Sequence, residues 1–313
     1  MKPGISLQAP VEAIFATGAC GLLAPDHMLH ACRPIEQGVG PDFVERAMLA
    51  PLHEAIPDCE VRIDIAMRGN FEGATWIATS GHLCGRFVAD LFGISATGRA
   101  VWLRFGSFQR WESGRVAETI LILDLPSLML QAGVWPLAQP LGPDFMAPGP
   151  LGGGGIWPVG DGAASLAIVE AMIGGLKKFD GELKTMNMRD FFAKDFWWFG
   201  PAPIGTFRGF ADYERGHATP FLTAFPDRVG GNHRARFGQG AYVASTGWPS
   251  ITATHGGDGW LGTAATHRPI TMRVMDFWRV EAGMLVENWV MIDIPDVLNQ
   301  FGIDVFAAMT DRR

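Results

Sequence analysis

The sequence predicts an α+β protein whose fold is written twice. The first ground is order: in each half, segments of helical character come first and strands follow. The second is a change of hydrophobic period. Val61, Ile63 and Ile65 alternate with Arg62, Asp64 and Ala66, as a half-buried strand requires, directly after a stretch with helical spacing. The third is a repeat. Arg104, Phe108, Arg110, Gly114, Glu118, Asp124 and Gln131 return as Arg273, Phe277, Arg279, Gly283, Glu287, Asp293 and Gln300, every pair separated by 169 residues. A period that long means duplicated domains rather than a solenoid.

Composition supports two folded units. The chain has 313 residues, 48% apolar and 18% charged, which suffices for large cores and argues against disorder. A net charge of −7 offers no basic footprint for nucleic acid. No run of about 18 apolar residues occurs, so no membrane-spanning helix is expected. The N-terminal apolar stretch is interrupted by Glu12 and does not read as a signal peptide. Cys20, Cys32, Cys59 and Cys84 all lie in the first half, so a fold shared by both halves needs no disulfide. They read as reduced thiols of a cytoplasmic protein.

Taken in order, residues 10–24 suit a helix that Pro25 would stop. Asp42 would cap a second helix over 43–55, ended where Ile56 precedes Pro57. Strands follow over 59–66, 73–87, 100–111 and 115–124, the last two turning at Glu112-Ser113-Gly114. Prolines and the run Gly152–Gly155 make 136–162 a linker. A phosphate cradle would need a preceding strand and a Lys-Ser/Thr ending, and both are missing. Residues 163–179 read as an amphipathic helix with Lys177 and Lys178 at its C-terminal end. The aromatic-rich stretch 187–199 suits a cavity wall or a core, and its spacing favours core. The expected units are therefore a first domain over 1–135, the linker over 136–162 and a second domain over 163–313.

The second copy carries Ala224-Phe225-Pro226-Asp227, Thr254-His255-Gly256-Gly257, Thr266-His267-Arg268, Arg279, Gly283, Glu287, Trp289, Asp293, Gln300 and Gly302. This series resembles the SnoaL-like polyketide cyclase and ester cyclase family, over about residues 165–310. The first copy, about 10–135, resembles it more loosely. It keeps Ile56-Pro57-Asp58, Gly81-His82, Thr97-Gly98-Arg99, Glu118, Asp124 and Gln131, with Ile120 in place of the tryptophan. The resemblance implies the nuclear-transport-factor-two-like fold: two tandem cone-shaped domains, each a curved antiparallel sheet wrapped around helices. It also implies a cyclase-type acid/base catalyst, acting on a small apolar carbonyl compound or polyketide-like ester by intramolecular aldol chemistry. No cofactor and no metal are implied. Family domains pair through their sheets, which implies a pseudo-dimer within one chain, or a homodimer of such chains, with a small-molecule substrate or ligand as partner and no nucleic acid or membrane.

On a strand, Leu285, Glu287, Trp289, Met291 and Asp293 share one face and Val286, Asn288, Val290 and Ile292 the other. The first face offers carboxylates and an aromatic wall, suited to a pocket. The resemblance gives Asp293 the acid/base role, and Asp124 the same role in the first copy. The other reading of both is a helix cap before a proline-started turn. His255 and His82 read as acids or enolate-oxygen donors, or as structural hydrogen-bonding groups. Glu287, Arg279, Trp289, Asn288, Trp278 and Tyr242 are pocket candidates; Arg279 and Glu287 also suit an ion pair across the hairpin. Three functions fit this set: a cyclase, a binding protein without chemistry, and a hydrolase or dehydratase using the same carboxylate.

Overall fold

The computed structural model describes Phe15 and residues 19–144 and 146–310. The first half builds one six-stranded sheet from β1 (Leu23–Ala31), β2 (Gln37–Val39), β3 (Glu60–Phe71), β4 (Ala74–Arg86), β5 (Ala100–Glu112) and β6 (Arg115–Leu123). The second half builds another from β7 (Phe192–Phe199), β8 (Thr206–Arg208), β9 (Ala235–Gln239), β10 (Tyr242–Thr254), β11 (Pro269–Glu281) and β12 (Met284–Ile292). The strand orders, β2-β1-β6-β5-β4-β3 and β8-β7-β12-β11-β10-β9, are the same order repeated. The fold is thus α+β in two tandem domains. Each sheet is mixed, not purely antiparallel: β1 runs parallel to β6 and β7 parallel to β12.

The hairpins follow from local chemistry. Ser113 and Gly114 have φ 49° and 79°, and Ala282 and Gly283 have φ 49° and 78°. Two consecutive positive φ angles match the right-handed twist of the flanking strands, and glycine supplies the second without strain.

Each half also has a helix that crosses its sheet. In the first, Pro41–Val44 passes through a wide π turn, Glu45–Leu49, into Ala50–Ala55. In the second, Gly209–Tyr213 passes through Glu214–Ala218 into Thr219–Ala224. Pro51 and Pro220 occupy matching places just after the wide turn. A proline inside a helix has no N–H to give and collides with the carbonyl four residues back; widening the preceding turn relieves both. Asp42 sits in the first turn of its helix rather than at its cap, which is Gly40. Most of the helix expected over 10–24 lies outside the described residues. From Ala19 the chain makes a 3₁₀ turn to Leu22 and then enters β1, so Pro25 stands in a strand.

The two sheets pack back to back. Phe108 meets Phe277 with ring centroids 5.7 Å apart, and Phe237 at 6.1 Å. A Cβ added to Gly69 would collide with the Phe237 ring and stand 2.7 Å from its Cβ, so glycine is what lets β3 approach β9 there. Residues 136–162 do not hang free. Ala66 N–H donates to Gly155 O and Trp157 N–H to Ala66 O, so the linker lies along β3. All four cysteines are free; burial pushes Cys59 up to about 11 and Cys84 up to about 12, which leaves both as unreactive thiols. No helix among the described residues is long and apolar enough to cross a membrane.

Gly69→Ala should lower unfolding free energy by about 1–3 kcal/mol, because the Phe237 ring must move. Gly21→Ala, where an added Cβ meets nothing within 4 Å, should change it by less than about 0.5 kcal/mol. Denaturant titration of the two variants checks this.

Candidate active site

The second domain holds an open-mouthed cavity of about 400 Å³ between its sheet and its helices. Strand alternation decides which residues reach it. From β11 these are Val274, Asp276 and Trp278; from β12, Asn288, Val290 and Ile292. Met172, Ile173 and Leu176 come from the helix Ala163–Leu176. Tyr213, His217 and Phe221 come from the helix with the wide turn, and Arg228 from the loop beyond it. The walls are mainly apolar, with a few polar groups converging, as ligand pockets generally are.

Asp276 is the carboxylate of this cavity. Burial pushes its carboxyl up to about 7, with Asn288 and Arg236 pulling the other way. Asn288 Nδ2 donates to Asp276 Oδ1 at 3.4 Å and to Phe277 O at 3.1 Å, which fixes the carboxylate against the sheet. Arg236, only 8% exposed, donates through Nε to Ser245 Oγ at 3.1 Å and makes no ion pair among the described residues. Burial lowers its pKa, and Glu170 and Asp276 support its charge from longer range. His217 lies flat on Trp198, ring centroids 4.0 Å apart. Burial and then Arg228 push it down to about 3, so it is a neutral imidazole at any ordinary pH. His217 Nδ1 and Trp278 Nε1 are buried and have no hydrogen-bond partner. Burial and the Asp276 charge push the Tyr213 phenol well up. Among the described residues no cluster of three or more His, Cys, Asp or Glu is placed to hold a metal ion.

The residues expected from sequence distribute differently. Asn288 and Trp278 line the cavity. Glu287, Trp289, Met291 and Asp293 do share one face, but that face turns toward the linker and the first domain. Glu287 accepts from Arg279 and from Leu151 N–H at 3.1 Å. Trp289 Nε1 donates to Pro148 O at 2.9 Å, and Tyr242 Oη to Gly153 O at 3.0 Å. Asp293 caps the helix Ile294–Phe301 through Asp296 N–H at 3.3 Å. It also accepts from Arg273 at 3.0 Å and, across the domain junction, from Arg33 N–H at 3.1 Å. Burial pushes it up to about 7 as well, but its oxygens are occupied. Asp124 mirrors it, accepting from Ser127 N–H at 3.4 Å and from Ala202 N–H of the second domain at 3.0 Å.

His82 and His255 are not counterparts. His82 stands mid-strand opposite Arg104, its Nδ1 3.0 Å from Asp64. His255 follows the end of β10 and donates its N–H to Arg268 O at 3.0 Å, as Phe87 does to Arg99 O. His255 is therefore the partner position of Phe87. Fully buried, it stacks on Phe301 at 3.8 Å, away from the cavity. His82 and Asp124 instead share a smaller cleft of about 150 Å³ at the domain junction, with Arg104 and Asp144.

The family model for the SnoaL-like polyketide cyclases matches residues 17–132 and again 179–301, together more than half of the chain. The chain belongs to that family. Solved structures similar to parts of it include IdmH of Streptomyces antibioticus, assigned to the polyketide cyclases, at 24% identity, covering 43% of this chain and 98% of that one with a TM-score of 0.34. An NTF2-like protein of Burkholderia xenovorans is 16% identical, covering 45% of this chain and 98% of its own, with a TM-score of 0.35. No curated protein matches the sequence.

The two SnoaL-like copies are unequally equipped. At the places of Asp276, Asn288, His217 and Tyr213 the first copy has Ser107, Thr119, Met48 and Val44. The functional candidates thus lie where the copies differ, whereas the shared motifs mark the skeleton. Asp276 was readable on that basis: a lone carboxylate inside the apolar run Val274–Trp278, with serine at its counterpart.

Asp276 sets a pH dependence of stability. The unfolded chain releases this proton near 3.8 and the folded protein only near 7, so between those values the folded state holds the extra proton and stability falls as pH rises. Asp276→Asn removes the cost of the buried charge. The thermal midpoint of the variant should exceed that of the wild type at pH 8, and the gap should shrink toward pH 5, as differential scanning calorimetry would show.

Proposed function

We propose that this chain is a cofactor-independent acid/base catalyst acting on a small apolar carbonyl compound or polyketide-like ester, in the cavity of the second domain. The observation that carries this reading is Asp276: a carboxylate poised near pH 7, lining an apolar cavity beside a buried arginine. Family membership supports the cyclase class. A base works best when its pKa lies near the working pH, and burial does that here. Asp276 takes the proton from the carbon next to the substrate carbonyl. Negative charge then develops on the carbonyl oxygen, and Arg236, with the unspent Trp278 N–H, stabilises the enolate. The enolate carbon attacks a second carbonyl of the same molecule, and protonated Asp276 returns its proton to the new alkoxide. His217 stays neutral and can donate or accept one hydrogen bond. Asn288 holds the carboxylate in place.

In this reading the first domain is chiefly scaffold. Its sheet covers the back of the catalytic sheet, the position a second subunit would take, which makes the chain a pseudo-dimer.

Proton exchange tests the base without knowledge of the natural substrate. Incubated in D₂O with 1-(2-naphthyl)propan-2-one, the protein should accelerate deuterium entry next to the carbonyl, followed by NMR. The rate should rise with pH through about 7 and level off above it. Asp276→Asn should lose about 10²- to 10⁴-fold, while Asp293→Asn keeps the exchange per folded molecule. Loss in the Asp293 variant alone would transfer the role to that residue. Light scattering on a sizing column should give a monomer of 33.9 kDa; a dimer would contradict the pseudo-dimer reading.

A further inference from the structure

Arg228 lies at the rim of the cavity, and among the described residues its only hydrogen bond through the guanidinium is to a thioether, Met186 Sδ, at 3.4 Å. The group is half-buried, resting over the Phe179 ring at 4.6 Å. It makes no ion pair among the described residues. Of the other arginines held out of water, Arg236 deeper in the same cavity is likewise without an ion pair and bonds only Ser245 Oγ among the described residues, whereas the rest are answered. Arg104 donates to Phe199 O and Gly200 O, Arg273 pairs with Glu36 and Asp293, Arg279 with Glu281 and Glu287, and Arg110 with Glu112 and Glu118. A guanidinium has five N–H donors in a planar fork. Holding such a cation partly out of water with a single weak acceptor is unfavourable unless something else completes it. Lys177, exposed, stands at the same rim, its side chain against Gly231. The first copy has Cys59 where the second has Arg228, so this cation is not part of the shared skeleton.

We propose that Arg228, with Lys177, anchors a carboxylate on the ligand, so that the cavity takes an apolar or aromatic carbonyl compound as its free acid rather than as its ester. The fork matches a carboxylate in two parallel hydrogen bonds. A monoanion fits better than a dianionic phosphate, because the cavity already holds Asp276, which is ionised above about 7. The apolar walls, rich in Met172, Met186 and Met188, take the body of the ligand, and thioether side chains adapt to its outline. With the anion fixed at the rim, the rest of the molecule extends toward Asp276 on the sheet. This inference rests on the cavity being the ligand site, but not on Asp276 being the base.

Isothermal titration calorimetry at pH 8 with 1-naphthoate, methyl 1-naphthoate and 1-naphthyl phosphate tests it. The acid should bind at least about tenfold tighter than its methyl ester. Arg228→Gln should bring the two together, and Lys177→Gln, at an exposed position that leaves folding intact, should narrow the gap. Equal affinity for acid and ester in the wild type overturns the proposal. So does a preference for the acid that both variants leave unchanged, since the anion then sits elsewhere. Tighter binding of the phosphate would overturn the carboxylate assignment. Asp276→Asn should keep the preference for the acid. A wild-type protein that prefers the acid but does not accelerate the deuterium exchange would therefore sink the catalytic reading and leave this one standing.

Discussion

Everything in this molecule depends on the alternation of side chains along a strand. Each central strand has two faces, and the back-to-back sheets leave each face one destination. In β11, Met275 and Phe277 face the junction between domains while Asp276 and Trp278 face the cavity. In β12, Glu287, Trp289 and Met291 go one way and Asn288, Val290 and Ile292 the other. A position cannot serve both. The junction therefore takes half of the residues that a sequence motif presents, however chemical they look, and the cavity takes those between them.

That constraint explains what could and could not be read from the chain. The repeat, the strands after the helix of the first half, the hairpins at Gly114 and Gly283 and the family were legible, because they rest on periods and turn chemistry. The expected order of helices before strands was not right, since β1 and β2, and again β7 and β8, precede the crossing helix of their half. The grouping of Glu287, Trp289 and Asp293 on one face was legible too. Which face looks into the cavity was not, because a period of two assigns residues to sides without naming the sides. Naming them needs the partner sheet, and the partner is 169 residues away. The parallel strands β1 and β7 escaped for a related reason. Leu23–Ala31 includes Pro25 and two histidines, and its strand form comes from pairing with β6 rather than from its own pattern. The place of His255 was obscured by the irregularity between Gly247 and Ile251, which shifts the second copy against the first.

The junction uses the acidic ends of β6 and β12 reciprocally. Asp124 receives an N–H from Ala202, and Asp293 one from Arg33, so each domain completes a helix cap of the other. Glu118 adds a third tie, gripped by Arg110 of its own sheet and by Arg234, just before β9 of the other domain. The residues that a motif search finds most easily are thus spent on joining the copies. The inner faces carry no such duty, and there the copies differ, with Ser107 in the first where Asp276 stands in the second.

The wide turn in each crossing helix has a historical meaning. It occurs in both copies, beside Pro51 and Pro220, yet it carries Met48 in one and His217 in the other. A distortion inherited by both copies is older than the event that doubled the gene. The polar group at the cavity stands on a backbone irregularity that both copies share, and only the second copy places an imidazole there.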